Sequence, residues 1–223
     1  MMTKTTTVPK NVYELAQERL RIVFNEFDNV YLSFSGGKDS GVLLSLCIDY
    51  IRRNNLKIKL GVFHMDYEIQ YKMTIDYIAR MLEDNKDILE VYRVCVPFRV
   101  ATCTSMYQSF WRPWEDSKKD LWVRPLPENA MTKEDFPFYN TQMWDYEFQM
   151  RFASWLHEKK DAVRTCCLIG IRTQESFNRW RCIYLNRKYQ MYHRYRWTSK
   201  VGNDIFNACL LYTSPSPRDR TRS

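Results

Sequence analysis

Along the first third of the chain the apolar residues change period twice. Val12, Leu15, Ala16, Leu20, Val23 and Phe27 recur at spacings of three and four, which predicts an amphipathic helix. Asn11, with Glu14 three positions on, supplies a capping box at its start. Residues 29–34 alternate as a strand does, and the polar stretch 35–39 breaks the alternation. From Ser40 the run GVLLSLCIDYIRR is apolar on most sides and reads as a buried helix. The same reading gives strands over 57–64, 88–96 and 162–171, and helices over 69–83 and 141–160. Strands alternating with helices predict an α/β fold, a parallel sheet with right-handed crossovers and helices on both faces.

Residues 97–140 do not follow the pattern. They hold five prolines, and aromatic residues at Phe110, Trp111, Trp114, Trp122, Phe136 and Phe138. A connection this long within one domain is expected to be functional or to contain small elements of its own.

Composition narrows the class. In 223 residues, 45% are hydrophobic and 27% charged, which excludes a disordered chain. No apolar run is long enough for a membrane span, and residues 1–14 lack the apolar centre of a secretory signal. The odd count of seven cysteines argues against a disulfide framework and for the cytoplasm. Of the net charge of +8, +7 sits in residues 172–200 and +2 in 209–223, leaving −1 elsewhere. Basicity so concentrated predicts an anionic partner for 172–200.

The last fifteen residues, CLLYTSPSPRDRTRS, differ in character from what precedes them. Residues 209–219 match one reading frame of a transposon-end sequencing adapter. The expected domain is therefore 1–208, incomplete at its C-terminus, followed by a non-native tail over 209–223.

The chemistry concentrates after the first strand, in LSFSGGKDSG. Two glycines permit a tight turn, the helix that follows offers free amides to an anion, and Lys38 adds charge. Ser35 and Ser40 carry hydroxyls that can donate to phosphate, and close approach is expected over both Gly36 and Gly37. The spacing is neither that of the Walker A loop nor that of the dinucleotide-binding loop.

Ser35-Gly36-Gly37-Lys38-Asp39-Ser40 resembles the PP-loop of the adenine nucleotide alpha-hydrolase-like enzymes. A second segment, Gly170-Ile171-Arg172-Thr173-Gln174-Glu175-Ser176, is similar to a signature that follows the fourth strand in the phosphoadenosine phosphosulfate (PAPS) reductase-like branch. The resemblance covers roughly residues 11–208. It implies a Rossmann-like fold, ATP or PAPS as the nucleotide, Lys38 and Asp39 in catalysis, and Gly170, Arg172, Glu175 and Ser176 at the nucleotide. The intact Gly-Gly-Lys-Asp core, degenerate in true PAPS reductases, favours ATP and cleavage between its α and β phosphates. Those reductases use a late cysteine as nucleophile, a region this chain does not reach.

Other residues complete the candidate set. Asp66 and Glu68 follow the second strand, where the resemblance places the adenosine; a carboxylate there could bind ribose or help hold Mg²⁺, or simply cap a turn. His64 reads as a strand-end histidine. Cys166 and Cys167 are adjacent in a strand and so face opposite sides, which fits core cysteines rather than an iron–sulfur cluster; Cys95, Cys103 and Cys182 show no metal spacing. The basic stretch 172–200, interleaved with aromatics, suits RNA or DNA, or the docking of a further segment. Three functions fit: a PAPS reductase- or sulfurtransferase-like enzyme on an adenylyl nucleotide, a tRNA or DNA sulfur-modifying adenylyltransferase, or a non-catalytic nucleotide- or nucleic-acid-binding regulator on the same fold.

Overall fold

A computed structural model describes residues 11–102, 105–170 and 191–211. Helix α1 (Val12–Glu26) begins at the expected capping box, with the Glu14 amide donating to Asn11 Oδ1 and the Asn11 amide to Glu14 Oε2, both at 2.9 Å. Strand β1 (Asn29–Ser33) passes through the glycine loop into α2 (Lys38–Arg53). Then come β2 (Leu60–Met65), α3 (Lys72–Glu83) and β3 (Leu89–Val94). The region 97–140 contains three two-residue strands, β4 (Val100–Ala101), β5 (Phe110–Trp111) and β6 (Ala130–Met131). It leads to α4 (Asp145–Lys159) and β7 (Thr165–Ile169); β8 (Thr198–Gly202) and β9 (Ile205–Ala208) follow.

Seven strands form one sheet in the order β6-β3-β2-β1-β7-β9-β8, parallel throughout except for β8 against β9. This is the Rossmann-like α/β architecture. Alternation along the strands sorts side chains into two layers. Val30, Leu32, Val62, Cys166 and Leu168 pack under α1, α2 and α3. Tyr31, Phe63, Tyr92 and Cys167 face the other way, onto Phe148, Phe152 and Leu156 of α4 and onto Phe98 and Phe136. The long connection is thus part of the second layer's core.

Two helices start later than their periodicity suggests, for local reasons. Glu68 sits at φ +65°, turning the chain before α3 can begin. Ahead of α4, the Arg99 amide donates to the Met143 carbonyl (2.8 Å) and the Asp145 amide to the Arg99 carbonyl (3.0 Å), which holds residues 143–145 extended. The β8–β9 hairpin has no counterpart in the hydrophobic pattern, because β8 is mostly polar and lies at the sheet edge.

The boundary drawn after Ala208 does not coincide with the edge of the packing. Leu210 is fully buried, Cys209 nearly so, and both belong to the first-layer core. Arg19 Nη1 donates to the Leu210 carbonyl at 2.7 Å. Burying a leucine contributes roughly 1.5–3 kcal/mol. A chain ended at Ala208 should therefore melt about 5 °C or more below one ended at Leu211 in a calorimetric scan. Equal melting temperatures would show that Leu210 does not contribute.

Candidate functional site

The sheet order changes direction at β1: the chain moves from β1 outward to β2 and β3, then returns to place β7 on the other side of β1. Loops after β1 and β7 therefore diverge from a crevice at the carboxyl edge of the sheet, where open α/β sheets bind ligands. The first motif sits on the loop after β1, and Gly170, which opens the second, directly follows β7.

Gly36 has φ +77°, and a Cβ there would lie 2.6 Å from Ile78 Cδ1 and 2.9 Å from Thr74 Cγ2. Only glycine fits, because the conformation and the close approach to α3 both exclude a side chain. Gly37 differs from expectation: its φ is −75°, and a Cβ would meet only Ser35 Oγ, at 3.3 Å. The steric demand falls on the first glycine of the pair. Gly37 is the N-cap of α2 and offers no side chain, so among the described residues no side chain caps the amides of the first turn. Those donors and the helix dipole favour an anion.

Ser40 is buried, and its hydroxyl donates to the Gly37 carbonyl at 2.9 Å. Ser35 Oγ lies 3.0 Å from Ser40 Oγ and accepts from the Gly37 amide at 3.3 Å. The serines thus brace the loop from within, and their hydroxyls would have to turn to reach a phosphate. Lys38 is exposed at the first position of α2, with Asp39 half-buried beside it.

Gly170, just past β7, comes against this turn. A Cβ on it would stand 2.9 Å from Ser40 N and 3.0 Å from the Asp39 carbonyl carbon. These are backbone atoms of a helix and cannot step aside as a side-chain tip would. Gly170, the first residue of the second motif, therefore packs against the first motif. Arg172, Glu175 and Ser176, which follow on the chain, lie outside the described residues.

His64 lies on β2, next to β1. It is fully buried, and its Nδ1 is 2.8 Å from the carbonyl of Phe34, the residue that leads into the loop. Burial lowers its pKa, against the opposing effect of that bond. It fits the strand-histidine reading and adds a tether beneath the loop.

Asp66 follows β2 as the sequence suggested, but its carboxylate is already partnered. Its carboxylate is fully buried: Oδ2 accepts from Arg93 Nε (3.0 Å) and Nη2 (2.9 Å), and Oδ1 pairs with Arg124. A carboxylate held by two arginines is not open to a ribose or a metal ion. Its neighbour Glu68 accepts from the backbone amides of Trp114 (2.8 Å) and Val123 (3.1 Å), and Trp114 Nε1 donates to the Asp66 carbonyl (2.7 Å). Together they lock the long connection onto the end of β2. An arginine inside the apolar third strand was the available signal, since a buried guanidinium demands a buried partner.

On the α4 face of the same crevice lies a cavity of about 300 Å³ whose lining has no charged side chain. Tyr31, Ser33, Phe63, Gln149, Cys167 and Asn207 form much of its wall. Cys166 and Cys167 belong to opposite layers, as alternation predicts, and burial raises both thiols, Cys167 to about 12. Cys95 is likewise pushed up to about 12 by burial, while Cys103 and Cys182 lie outside the described residues. Within the basic stretch, Tyr192 and Trp197 are turned into the core, where Tyr192 meets Phe27 and Phe206, instead of being presented to a partner. No helix among the described residues is long and apolar enough to cross a membrane.

The sequence pattern of the phosphoadenosine phosphosulfate reductase domain matches residues 29–198. The uncharacterized protein YbdN of Escherichia coli (strain K12) is 36% identical over 194 residues, which are 86% of this chain and 46% of YbdN. The chain thus spans about half the length of this curated relative. Among solved structures, PAPS reductase from Candida auris in a phosphate complex aligns with 98% of this chain and 87% of its own, at 12% identity and a TM-score of 0.43. FMN adenylyltransferase from Candida glabrata, in complex with FMN and an ATP analog, aligns with 96% of this chain and 57% of its own, at 13% identity and a TM-score of 0.47.

The histidine tether has a pH signature. Because burial depresses the folded-state pKa of His64 below its unfolded value of about 6.5, the unfolded chain takes up the proton first. Stability is therefore intact above pH 6.5 and falls as the pH drops below it. In urea titrations between pH 7.5 and 5, His64→Asn should show a shallower loss of stability than the wild type. Parallel pH profiles would mean that His64 is not held neutral in the fold.

Proposed function

The chain belongs to the phosphoadenosine phosphosulfate reductase domain family, and on that footing we propose that it is an enzyme acting on an adenine nucleotide held by its phosphates at residues 35–40. One observation supports the reading: the first turn of α2, with no side-chain cap at Gly37, packs against Gly170, the residue that opens the second motif. The preferred nucleotide is ATP, because the Gly-Gly-Lys-Asp core is complete; PAPS is the other candidate. Amides of residues 38–40 and the Lys38 ammonium would stabilise charge developing on the phosphates as the bond between α and β breaks. Arg172, close along the chain to Gly170, would grip a phosphate or sulfate oxygen pair, with Glu175 and Ser176 completing the second loop.

With Asp66 committed to its arginines, Asp39 is a carboxylate of the loop that could accompany a nucleotide-bound Mg²⁺, whose preference is for oxygen ligands. Such an ion would supply charge neutralisation at the phosphates. The uncharged cavity would take the acceptor, and a tRNA or DNA base is one chemistry that suits it. The match covers 46% of YbdN, so the reaction of a whole protein of that kind belongs to this proposal.

Lys38→Ala removes one charge-assisted bond to phosphate, about 1.5–3 kcal/mol, or roughly ten- to a hundredfold in affinity. Calorimetric titration of ATP and PAPS into the wild type and the folded variant should show that loss for the true nucleotide. Unchanged affinity for both would place the phosphates elsewhere. Pyrophosphate release from labelled ATP separates an enzyme from a regulator that only binds.

A further inference from the structure

The β4–β5 hairpin and the turn that opens α4 form a second surface, which the nucleotide loop does not use. The backbone bonds between Arg99 and residues 143 and 145 fix the two together. On this frame the side chains stack. The Arg99 guanidinium lies 4.7 Å from the Phe110 ring centroid and 5.9 Å from that of Trp144, and Arg112 lies 4.9 Å from Phe110. Trp144 stacks in turn with Tyr146, at 6.3 Å and 16° between ring planes.

The outer members of the stack are in water. Tyr146 is 56% exposed, and the hairpin tip holds Met106 and Tyr107 at 99% and 101%. Neither tip residue contributes burial to the fold. Arg112 Nη2 donates to the Thr141 carbonyl at 3.1 Å; the Nε atoms of Arg99 and Arg112 are buried and have no hydrogen-bond partner among the described residues. Asp145, between Trp144 and Tyr146, accepts from the Tyr67 hydroxyl (3.2 Å) and the Tyr146 amide (2.8 Å). Glu115 and Asp116 line the same hollow as Arg112, so the charge is mixed at that end, and Arg99 with the aromatic rings makes up the rest.

We propose that this platform binds single-stranded nucleic acid, with phosphates near Arg99 and Arg112 and bases stacked on Tyr107 and Tyr146. Flat aromatic faces beside guanidinium groups match a polyanion whose bases are unpaired, and a duplex hides the faces that stacking requires. Position supports the assignment. Tyr146 and Met150 also line the uncharged cavity, whose far wall includes Ser33 and Ile169 at the ends of β1 and β7. A strand crossing Tyr146 thus stands at the mouth of a chamber that reaches the ends of the two strands carrying the nucleotide loops. The proposal supplies the acceptor class for the reaction above, yet binding to the platform does not require the nucleotide reading to hold.

The test is fluorescence anisotropy of labelled 15-nucleotide RNA and DNA with the full chain. Single strands should bind, and the matching duplexes more weakly. Tyr107→Ala and Tyr146→Ala, both at exposed positions, should each weaken binding roughly five- to a hundredfold, the range seen for loss of one base-stacking aromatic. Calorimetric titration of ATP into both variants should match the wild type. Failure to bind any oligonucleotide, a preference for duplex, or binding that both variants retain in full would overturn the proposal; the last result would move the contact to another surface. Loss of ATP binding in the wild type, with oligonucleotide binding intact, would instead remove the nucleotide reading alone.

Discussion

The contact between Gly170 and the first turn of α2 leaves no room for a single carbon atom, and the arrangement of the crevice follows from it. The first turn of α2 thus packs directly against Gly170 at the end of β7, beside the switch point of the sheet. Gly36, in a conformation closed to other residues, bends β1 into that helix, and the Ser35–Ser40 pair holds the bend. His64 ties the carbonyl of Phe34 from the adjacent strand. Each constraint acts on backbone, which is what a phosphate site made of amides needs: the donors are placed before the anion arrives.

The opposite face is organised by charge instead of by glycine. Asp66 with Arg93 and Arg124 is a buried ionic cluster, costly to desolvate and repaid only when every partner is present. Glu68 and Trp114 extend it, so a connection with little regular structure is pinned to the end of β2. That anchoring holds the β4–β5 hairpin and the start of α4 in a fixed relation to the crevice. The molecule thereby joins the first turn of α2 on one side of the sheet edge to an uncharged cavity and an aromatic surface on the other.

Much of this was legible in the sequence. Period and capping gave α1 from Asn11 and Glu14, and strand alternation separated Cys166 from Cys167 onto the two layers as observed. The loop at 35–40 and Gly170 were found as motifs, and the fold brings them together. The roles of Asp66 and Gly37 were not legible. An acid after a strand looks the same whether it meets a ligand or an arginine sixty residues away, and a glycine pair does not say which member carries the positive φ. The β8–β9 hairpin escaped notice because an edge strand shows no apolar period. The burial of Leu210 leaves no mark in the sequence, because a lone leucine can be buried without any periodicity around it.

Amide hydrogen exchange followed by mass spectrometry, with and without saturating ATP or PAPS, addresses the central claim most directly. If the first turn of α2 and the loop at Gly170 form one phosphate site, nucleotide should slow exchange in peptides covering 35–41 and 168–172 together. Protection confined to residues 97–140, or protection of the first peptide without the second, would contradict it.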